Sequence, residues 1–323
     1  MKHNIHILCV SAAVLIALGA FVARGEAPKK PAMTVTRAEN DQHLEIFDSG
    51  RRVLRYNFRN VPVPKTAKGR YAVARSDYIH PLCGPGGEIL TKDYSPEHPH
   101  HRGLYWAWPE VFYKSQKRDL HALQGVFARP DTIVRADGGE KIAIIVAKNK
   151  WLWDKEEIVA ETAVITVHKK ADGLQAIDLK FEFTALVDGV AIARRGQKAY
   201  GGFNMRFSAR KGQEITMHTD PVGSRPRRAW AQLVGTPPGG EKPVTVAICQ
   251  HVENRYAPGD WVTYPNLNWL QPTFPSKGAK HELKRGRRLV LRFRLCIANG
   301  KLSDKRMAEQ WADFHKPTIR ASR

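Results

Sequence analysis

The stretch that decides the fold is residues 177–184, IDLKFEFT, in which apolar and polar residues alternate without a break. Residues 289–297, LVLRFRLCI, repeat the alternation, with Arg292 and Arg294 between the apolar positions. Successive side chains of a β-strand point to opposite faces, so a period of two predicts strands with one buried face. Asp48-Ser49-Gly50 and Asp172-Gly173 stand between such runs and predict hairpin turns.

The rest of the chain continues this pattern, and it predicts an all-β fold, a large antiparallel β-sandwich of two packed sheets. One helix is expected near the C-terminus, because Ser303 suits an N-cap and Met307, Trp311 and Phe314 recur at helical spacing before Pro317. Further strands are predicted at 33–38, 43–47, 51–58, 70–80, 122–128, 141–148, 161–167, 200–207, 229–235 and 243–250.

The N-terminus has the pattern of a secretory signal. A short basic start precedes the apolar run Ile7 to Ala23, and Gly25-Glu26-Ala27 offers a cleavage site between small residues. We predict a signal peptide at 1–27, a single mature domain at 28–323, and a periplasmic or secreted location. The alternative is an uncleaved anchor. No later stretch reaches the length of a transmembrane segment.

The chain is strongly basic, with 52 Lys and Arg against 31 Asp and Glu and a net charge of +21. This charge forms either a solvated basic surface or a field that attracts an anionic partner. For such a partner the export signal favours an acidic glycan or the cell envelope over nucleic acid. Cys83, Cys249 and Cys296 remain after the signal. Their odd number and wide spacing exclude a disulfide framework and allow one bridge at most.

Residues 78–110 concentrate the groups that can do chemistry: YIHPLCGPGGEILTKDYSPEHPHHRGLYWAWPE. A long connection rich in Gly and Pro is often functional, and imidazole is an acid, base or metal ligand near neutral pH. In an extended chain His98 and His100 point to one side and His101 to the other. All three can therefore serve one centre only if the chain bends.

Three interpretations of the histidines stay open. They form an acid/base or substrate site with Arg102, they hydrogen-bond the loop to itself, or they bind a divalent metal. A metal held by His98 and His100 would need a distant ligand, with candidates His80, His251, Asp93 and Glu110.

A second cluster of polar and aromatic residues, at 250–269, follows the predicted strand 243–250. Loops at strand ends are where a sandwich carries its site. We expect its His251, the segment His98 to Arg102 and His80 to lie within roughly 10 Å of a common point. Trp106 and Trp108 are either core residues or a stacking platform for a sugar ring. The candidate catalytic residues are His80, His98, His100, His101, Arg102 and His251, and the candidate binding residues are Trp106, Trp108, Glu110, Arg206, Asn254 and Trp261.

Four segments carry a resemblance to a known family: residues 78–82 (YIHPL), 84–88 (GPGGE), 98–108 (HPHHRGLYWAW) and 200–207 (YGGFNMRF). The mature chain resembles the PmoA-like family of unknown function, labelled "methane oxygenase". The resemblance implies a β-sandwich similar in shape to the galactose-mutarotase-like supersandwich. Cys83 departs from the expected pattern. A membrane monooxygenase subunit is disfavoured, because the chain lacks several apolar spans.

Together these features predict an exported carbohydrate-active enzyme of the lyase, hydrolase or epimerase type. His100 or His101 would be the general acid or base, and Arg102 would support a negative charge. One alternative is a non-catalytic module that binds a glycan or polyanion. The other is a metal-dependent oxidoreductase.

Overall fold

A computed structural model of the protein describes Met1, residues 31–218 and residues 229–316, and strands are its main secondary structure. From Pro31 onward the chain forms one compact unit. The predicted signal peptide lies outside the described residues apart from Met1. Within the described ranges, no helix is both long and apolar enough to span a bilayer.

In chain order the strands are β1 Met33–Arg37, β2 Leu44–Asp48, β3 Arg51–Asn57, β4 Tyr78–Leu82, β5 Leu104–Ala107, β6 Glu110–Tyr113, β7 Gln116–Arg118, β8 Val126–Asp137, β9 Ile142–Trp153 and β10 Glu156–His168. They continue as β11 Leu174–Ala185, β12 Ala191–Ala193, β13 Gly202–Met205, β14 Lys211–Met217, β15 Trp230–Thr236, β16 Val244–Gln250, β17 Trp261–Tyr264, β18 Trp269–Pro272, β19 Lys280–Glu282 and β20 Leu289–Asn299. One 3-10 turn, Pro265–Leu267, precedes β18, and one α-helix, α1, spans Asp304–Phe314.

Two large antiparallel sheets confirm the predicted all-β sandwich. One has six strands in the order β1-β2-β3-β4-β5-β13, and the other has eight in the order β14-β15-β16-β20-β11-β10-β9-β8. Two smaller sheets, β19-β12-β6-β7 and β17-β18, complete the described strands. The strand predicted at 70–80 is wrong over most of its length. Only its last three residues belong to β4, and Asp77 before them has a positive φ of 62° that an extended strand does not allow.

The core lies where the apolar faces of the two large sheets meet. Trp106 of β5 stacks on Phe181 of β11 at 3.9 Å between ring centroids, and Phe203 of β13 lies 5.1 Å from Phe293 of β20. Each buried ring removes roughly 150–250 Å² from water, which at about 25 cal/mol per Å² favours folding by about 4–6 kcal/mol. The alternation at 177–184 therefore produces the sandwich, because every second residue of β11 enters this core.

Both predicted hairpins are observed. The β2–β3 turn places Ser49 and Gly50 at φ values of 51° and 82°, the left-handed region that tight hairpins need. Asp172 and Gly173 likewise have positive φ values and join β10 to β11.

The predicted C-terminal helix is present as α1, and it packs on the outer face of the eight-stranded sheet. Small side chains of β16 and β20, including Cys249 and Cys296, leave room for the helix, and Met307 of α1 is buried against them. The Ser303 side chain accepts a hydrogen bond from the backbone N–H of Arg306, which confirms the predicted N-cap. All three cysteines in the described ranges are buried free thiols.

The long connection between β4 and β5 carries the histidine segment and is held at its end by Gly103. This residue has a φ of 58°, and a Cβ atom here would lie 2.3 Å from the carbonyl oxygen of Ile79. Its N–H donates to the carbonyl of Lys92 at 2.8 Å, and its own carbonyl accepts from the N–H of Arg206 at 2.9 Å. Only glycine fits this close approach, so Gly103 fixes where the preceding histidines lie.

Candidate functional site

The three neighbouring histidines converge because the chain turns tightly between them. The N–H of His98 donates to the carbonyl of Ser95 at 3.1 Å, and the N–H of His101 donates to the carbonyl of His98 at 3.0 Å. One ring nitrogen from each of His98, His100 and His101 lies within 4.8 Å of the other two. The chain therefore bends between these histidines, and this bend allows all three to serve one centre.

These histidines form part of the wall of a cavity of about 310 Å³. The ring of His121 lies 5.3 Å from that of His100, and Trp269 lies 4.8 Å from His101, so the cluster is enclosed by other rings. The wall is built from five separate parts of the chain: Tyr71, His98, His100, His101, Asp119, His121, Ala122, Arg195, Tyr200, Tyr264, Leu267 and Trp269.

Several of these wall residues were not among the candidates from the sequence. Arg195 joins two of them, because its guanidinium donates to Asp119 at 2.5 Å and to the Tyr200 hydroxyl at 3.1 Å. Asp119 also accepts from the backbone N–H of Ala122 at 2.8 Å, which shapes the loop that presents His121. Asp119 and His121 follow β7, whereas Arg195 and Tyr200 lie between β12 and β13. No local spacing in the sequence relates these segments to His98.

The cavity keeps its imidazoles neutral. Burial lowers the pKa of His100 to about 3, with a further contribution from the positive charge of Arg75. Burial also lowers the pKa of His101 and of His121 well below the ordinary value, and the neighbouring histidines add to the effect. A neutral imidazole carries a lone pair that can accept a proton or bind a metal ion.

Two of these rings have an unused nitrogen. Nδ1 of His100 and Nδ1 of His101 are buried and have no hydrogen-bond partner among the described residues. By contrast, Nε2 of His121 lies 3.0 Å from the hydroxyl of Tyr105. His100 and His101 are therefore the wall histidines with a free, buried nitrogen.

The structure places His80 and Arg102 outside the cavity wall, contrary to their predicted role in a common site. Nδ1 of His80 is hydrogen-bonded to the Thr91 hydroxyl at 2.9 Å. Arg102 is 1% exposed and donates to both carboxylate oxygens of Asp93, at 2.7 and 3.0 Å, and to the Tyr78 hydroxyl at 2.9 Å. The guanidinium of Arg102 is thus engaged in an ion pair with Asp93, which holds the connection between β4 and β5 in place.

His251 also lies elsewhere, against α1, with its ring 4.9 Å from Phe314 and 4.5 Å from His315. Asn254 binds the backbone of Arg292 through both ends of its amide, at 2.8 and 2.7 Å, and so attaches its loop to β20. Trp261 is buried at the start of β17. None of these three lines the cavity, which corrects the expectation of one shared site. The reason is that β16 ends beside α1.

None of the remaining candidates lines the cavity, and these are Trp106, Trp108, Glu110 and Arg206. Trp106 and Trp108 are core residues, and the indole N–H of Trp108 donates to the carbonyl of Phe274 at 2.6 Å. Glu110 pairs with Lys117 at 2.8 Å. Arg206 donates to the carbonyl of Leu267, and after burial its charge is the next cause of the lowered pKa of His98.

A search of curated proteins found no significant match to the sequence. One family model matches residues 43–312, a range that contains both large sheets in most of their length and all of the cavity wall. The chain belongs to this family, which is described as a family of unknown function (DUF6807).

Proposed function

We propose that the protein is a carbohydrate-active enzyme whose reaction takes place in the histidine cavity. The observation that carries the proposal is the combination of neutral imidazoles and aromatic walls in one enclosed space. Binding sites are concave, mostly apolar and supplied with a few polar groups that orient the ligand, and this cavity has that composition.

The walls suit a sugar ring. Aromatic faces pack against the apolar face of a pyranose, while hydroxyl groups need polar partners close by. Tyr264 and Trp269 supply faces, and the Asp119–Arg195 pair with Tyr200 supplies donors and acceptors. The volume of about 310 Å³ is at the lower end of the range for ligand sites, so one sugar unit is the size of ligand we propose.

The chemistry would centre on proton transfer at a sugar hydroxyl or anomeric oxygen, as in a hydrolase, lyase or epimerase. We assign the acid or base role to His98 in place of His100 or His101, which the sequence suggested, because His98 is the least buried histidine of the cluster and so the most accessible to a ligand. Arg195 takes the role that the sequence suggested for Arg102, support of a developing negative charge. The PmoA-like resemblance, its analogy to the galactose-mutarotase-like supersandwich and the apolar run at 7–23 favour an exported enzyme of this kind, periplasmic or secreted.

The proposal predicts that His98→Gln abolishes most turnover and leaves ligand binding largely intact. Loss of a general acid or base lowers kcat/KM by roughly a hundredfold or more. The measurement is product analysis over a panel of mono- and disaccharides, including uronic acids, with binding followed by calorimetry. His251→Gln is the matched control, because His251 contacts α1 and not the cavity wall.

Two results would count against this assignment. Equal turnover in His98→Gln and the wild type would place the reaction elsewhere. Saturable sugar binding without turnover in the wild type would favour the alternative, a non-catalytic glycan-binding module.

A further inference from the structure

We infer that His98, His100 and His101 together bind one divalent transition-metal ion, with an open coordination position that faces the cavity. The inference rests on the proposed function and changes one role in it: His98 would hold the ion, and the water or substrate oxygen bound to the ion would transfer the proton. Metal binding itself can be tested without any sugar. The sequence offered only His98 and His100 with a distant ligand. The turn that brings in His101 makes a distant ligand unnecessary.

The first support is geometric. Catalytic zinc sites commonly have three protein ligands at about 2.0–2.1 Å and keep the fourth position for water or substrate. In such a site the ligand nitrogens are about 3.4 Å apart, and here they lie within 4.8 Å of one another. Closing the gap needs a shift of about one ångström in rings at the end of rotatable side chains, and His98 is only partly buried.

The second support is the unused nitrogens. His101 is 8% exposed, and its Nδ1, like that of His100, is buried without a hydrogen-bond partner among the described residues. A buried polar atom left without a partner costs about 1–3 kcal/mol. A metal ion bound to these nitrogens would remove that cost.

The surroundings set the kind of ion and the kind of fourth ligand. Imidazole ligands suit zinc, copper, nickel and iron, whereas calcium and magnesium prefer oxygen. Three neutral imidazoles leave the charge of the ion uncompensated, and Arg75 and Arg206 add positive charge near the cluster. An anionic fourth ligand would offset this charge, so we infer that hydroxide or an ionised oxygen of the substrate occupies the open position.

The ring packing also fits a supported site. His101 lies against Trp269, while His121 lies 5.5 Å from His101 and is oriented by the hydroxyl of Tyr105. Groups around the ligands hold the rings in place and are worth tenfold to a hundredfold in metal affinity in known sites.

The experiment uses the full chain without a histidine tag, freed of metal by a chelator and titrated with Co²⁺ and then Zn²⁺. We expect one Co²⁺ per chain, a strong visible absorption typical of four-coordinate cobalt, and its loss as Zn²⁺ displaces the ion. His98→Ala, His100→Ala and His101→Ala should each weaken Co²⁺ binding by roughly a hundredfold or more.

His251→Ala is the matched control, because His251 and His315 form another close histidine pair, 4.5 Å apart. It should leave the cobalt spectrum unchanged. Zn²⁺ should raise the thermal midpoint of the wild type, and His98→Ala, whose side chain is the least buried of the three, should fold but show no such rise.

Absence of the four-coordinate spectrum, or an unchanged Co²⁺ affinity in folded His98→Ala, would overturn the metal site. Loss of the spectrum in His251→Ala would do the same, because the ion would then lie at α1. Full turnover of sugar by the metal-free protein would remove the ion from the reaction and leave the proposed function standing. Metal binding by a protein that neither binds nor converts a sugar would support the metal site and count against the proposed function.

Discussion

At the scale of single residues, two buried carboxyl groups illustrate how the core accommodates polar atoms. Glu161 is 1% exposed and accepts hydrogen bonds from the indole N–H groups of Trp106 and Trp151, at 2.5 and 2.6 Å. Asp77 accepts from the Tyr56 hydroxyl at 2.7 Å. Burial raises the pKa of Asp77 well above its usual value, and the neighbouring Glu161 raises it further. The direction of this pKa shift favours a proton on Asp77 that is shared with Glu161.

This arrangement predicts unequal costs for two conservative substitutions. Asp77→Asn should lower the free energy of unfolding by less than about 1 kcal/mol, because an amide N–H replaces the donating carboxyl. Glu161→Gln should cost about 2 kcal/mol, because its amide N–H would face an indole donor. Urea unfolding of both variants measures the difference. An equal cost for the two would contradict the assigned proton.

At the scale of elements, α1 is attached to the eight-stranded sheet through Arg294 of β20. Its guanidinium donates to both oxygens of Asp178, at 2.6 and 2.9 Å, and to Asp313 of α1 at 2.8 Å. Burial works to raise the pKa of Asp178, but the hydrogen bonds from Arg294 and His168 outweigh it and lower the pKa. This contribution to stability is present above the unfolded pKa of an aspartate and is lost as pH falls through the lower folded value.

Arg294→Met should lower the free energy of unfolding by about 2 kcal/mol, because it leaves the partly buried carboxylate of Asp178 with His168 as its remaining partner. Amide hydrogen exchange in Asp304–Phe314 should accelerate by more than in the rest of the chain. Lys316→Met removes a pair whose side chains are 72% and 51% exposed and serves as the control, with an expected effect under about 0.5 kcal/mol. Unchanged exchange in α1 would mean that apolar packing alone holds the helix.

At the scale of the whole molecule, burial of neutral histidines makes stability depend on pH. Outside the cavity, burial lowers the pKa of His281 to about 4, and the charge of Arg255 adds to the effect while Glu282 opposes it. The unfolded chain has a histidine pKa of about 6.5. Between these two values the unfolded state binds more protons, so the free energy of unfolding falls as pH decreases from about 6.5 to 4.

His281→Gln should therefore flatten the loss of stability in this pH range by close to one proton per molecule. The measurement is the pH dependence of urea unfolding between pH 7.5 and 4.5, in chelator so that bound metal does not contribute. An identical slope in the variant and the wild type would show that His281 titrates alike in both states. His43→Gln offers a comparison, because burial also lowers the pKa of His43 and the charge of Arg55 adds to the effect.

Local sequence is sufficient to predict the strand periodicity, the two hairpins, the capped helix and the concentration of histidines at 98–101. Each of these depends on neighbours a few residues apart, where alternation, turn chemistry and capping act directly. The pairing of Arg102 with Asp93 and the place of Trp106 in the core could not be predicted from the sequence. Those outcomes depend on which partner is nearest after folding.

The same reason explains the composition of the cavity. His121, Asp119 and Arg195 come from two loops that meet His98 only after the sheets pack. His251 comes directly after β16, and its ring lies against α1. Contacts between segments so distant in sequence are set by strand order and sheet packing. Neither produces a local sequence pattern from which the contact could be predicted. The sequence therefore located the histidines, and the tertiary structure chose which of them form a site.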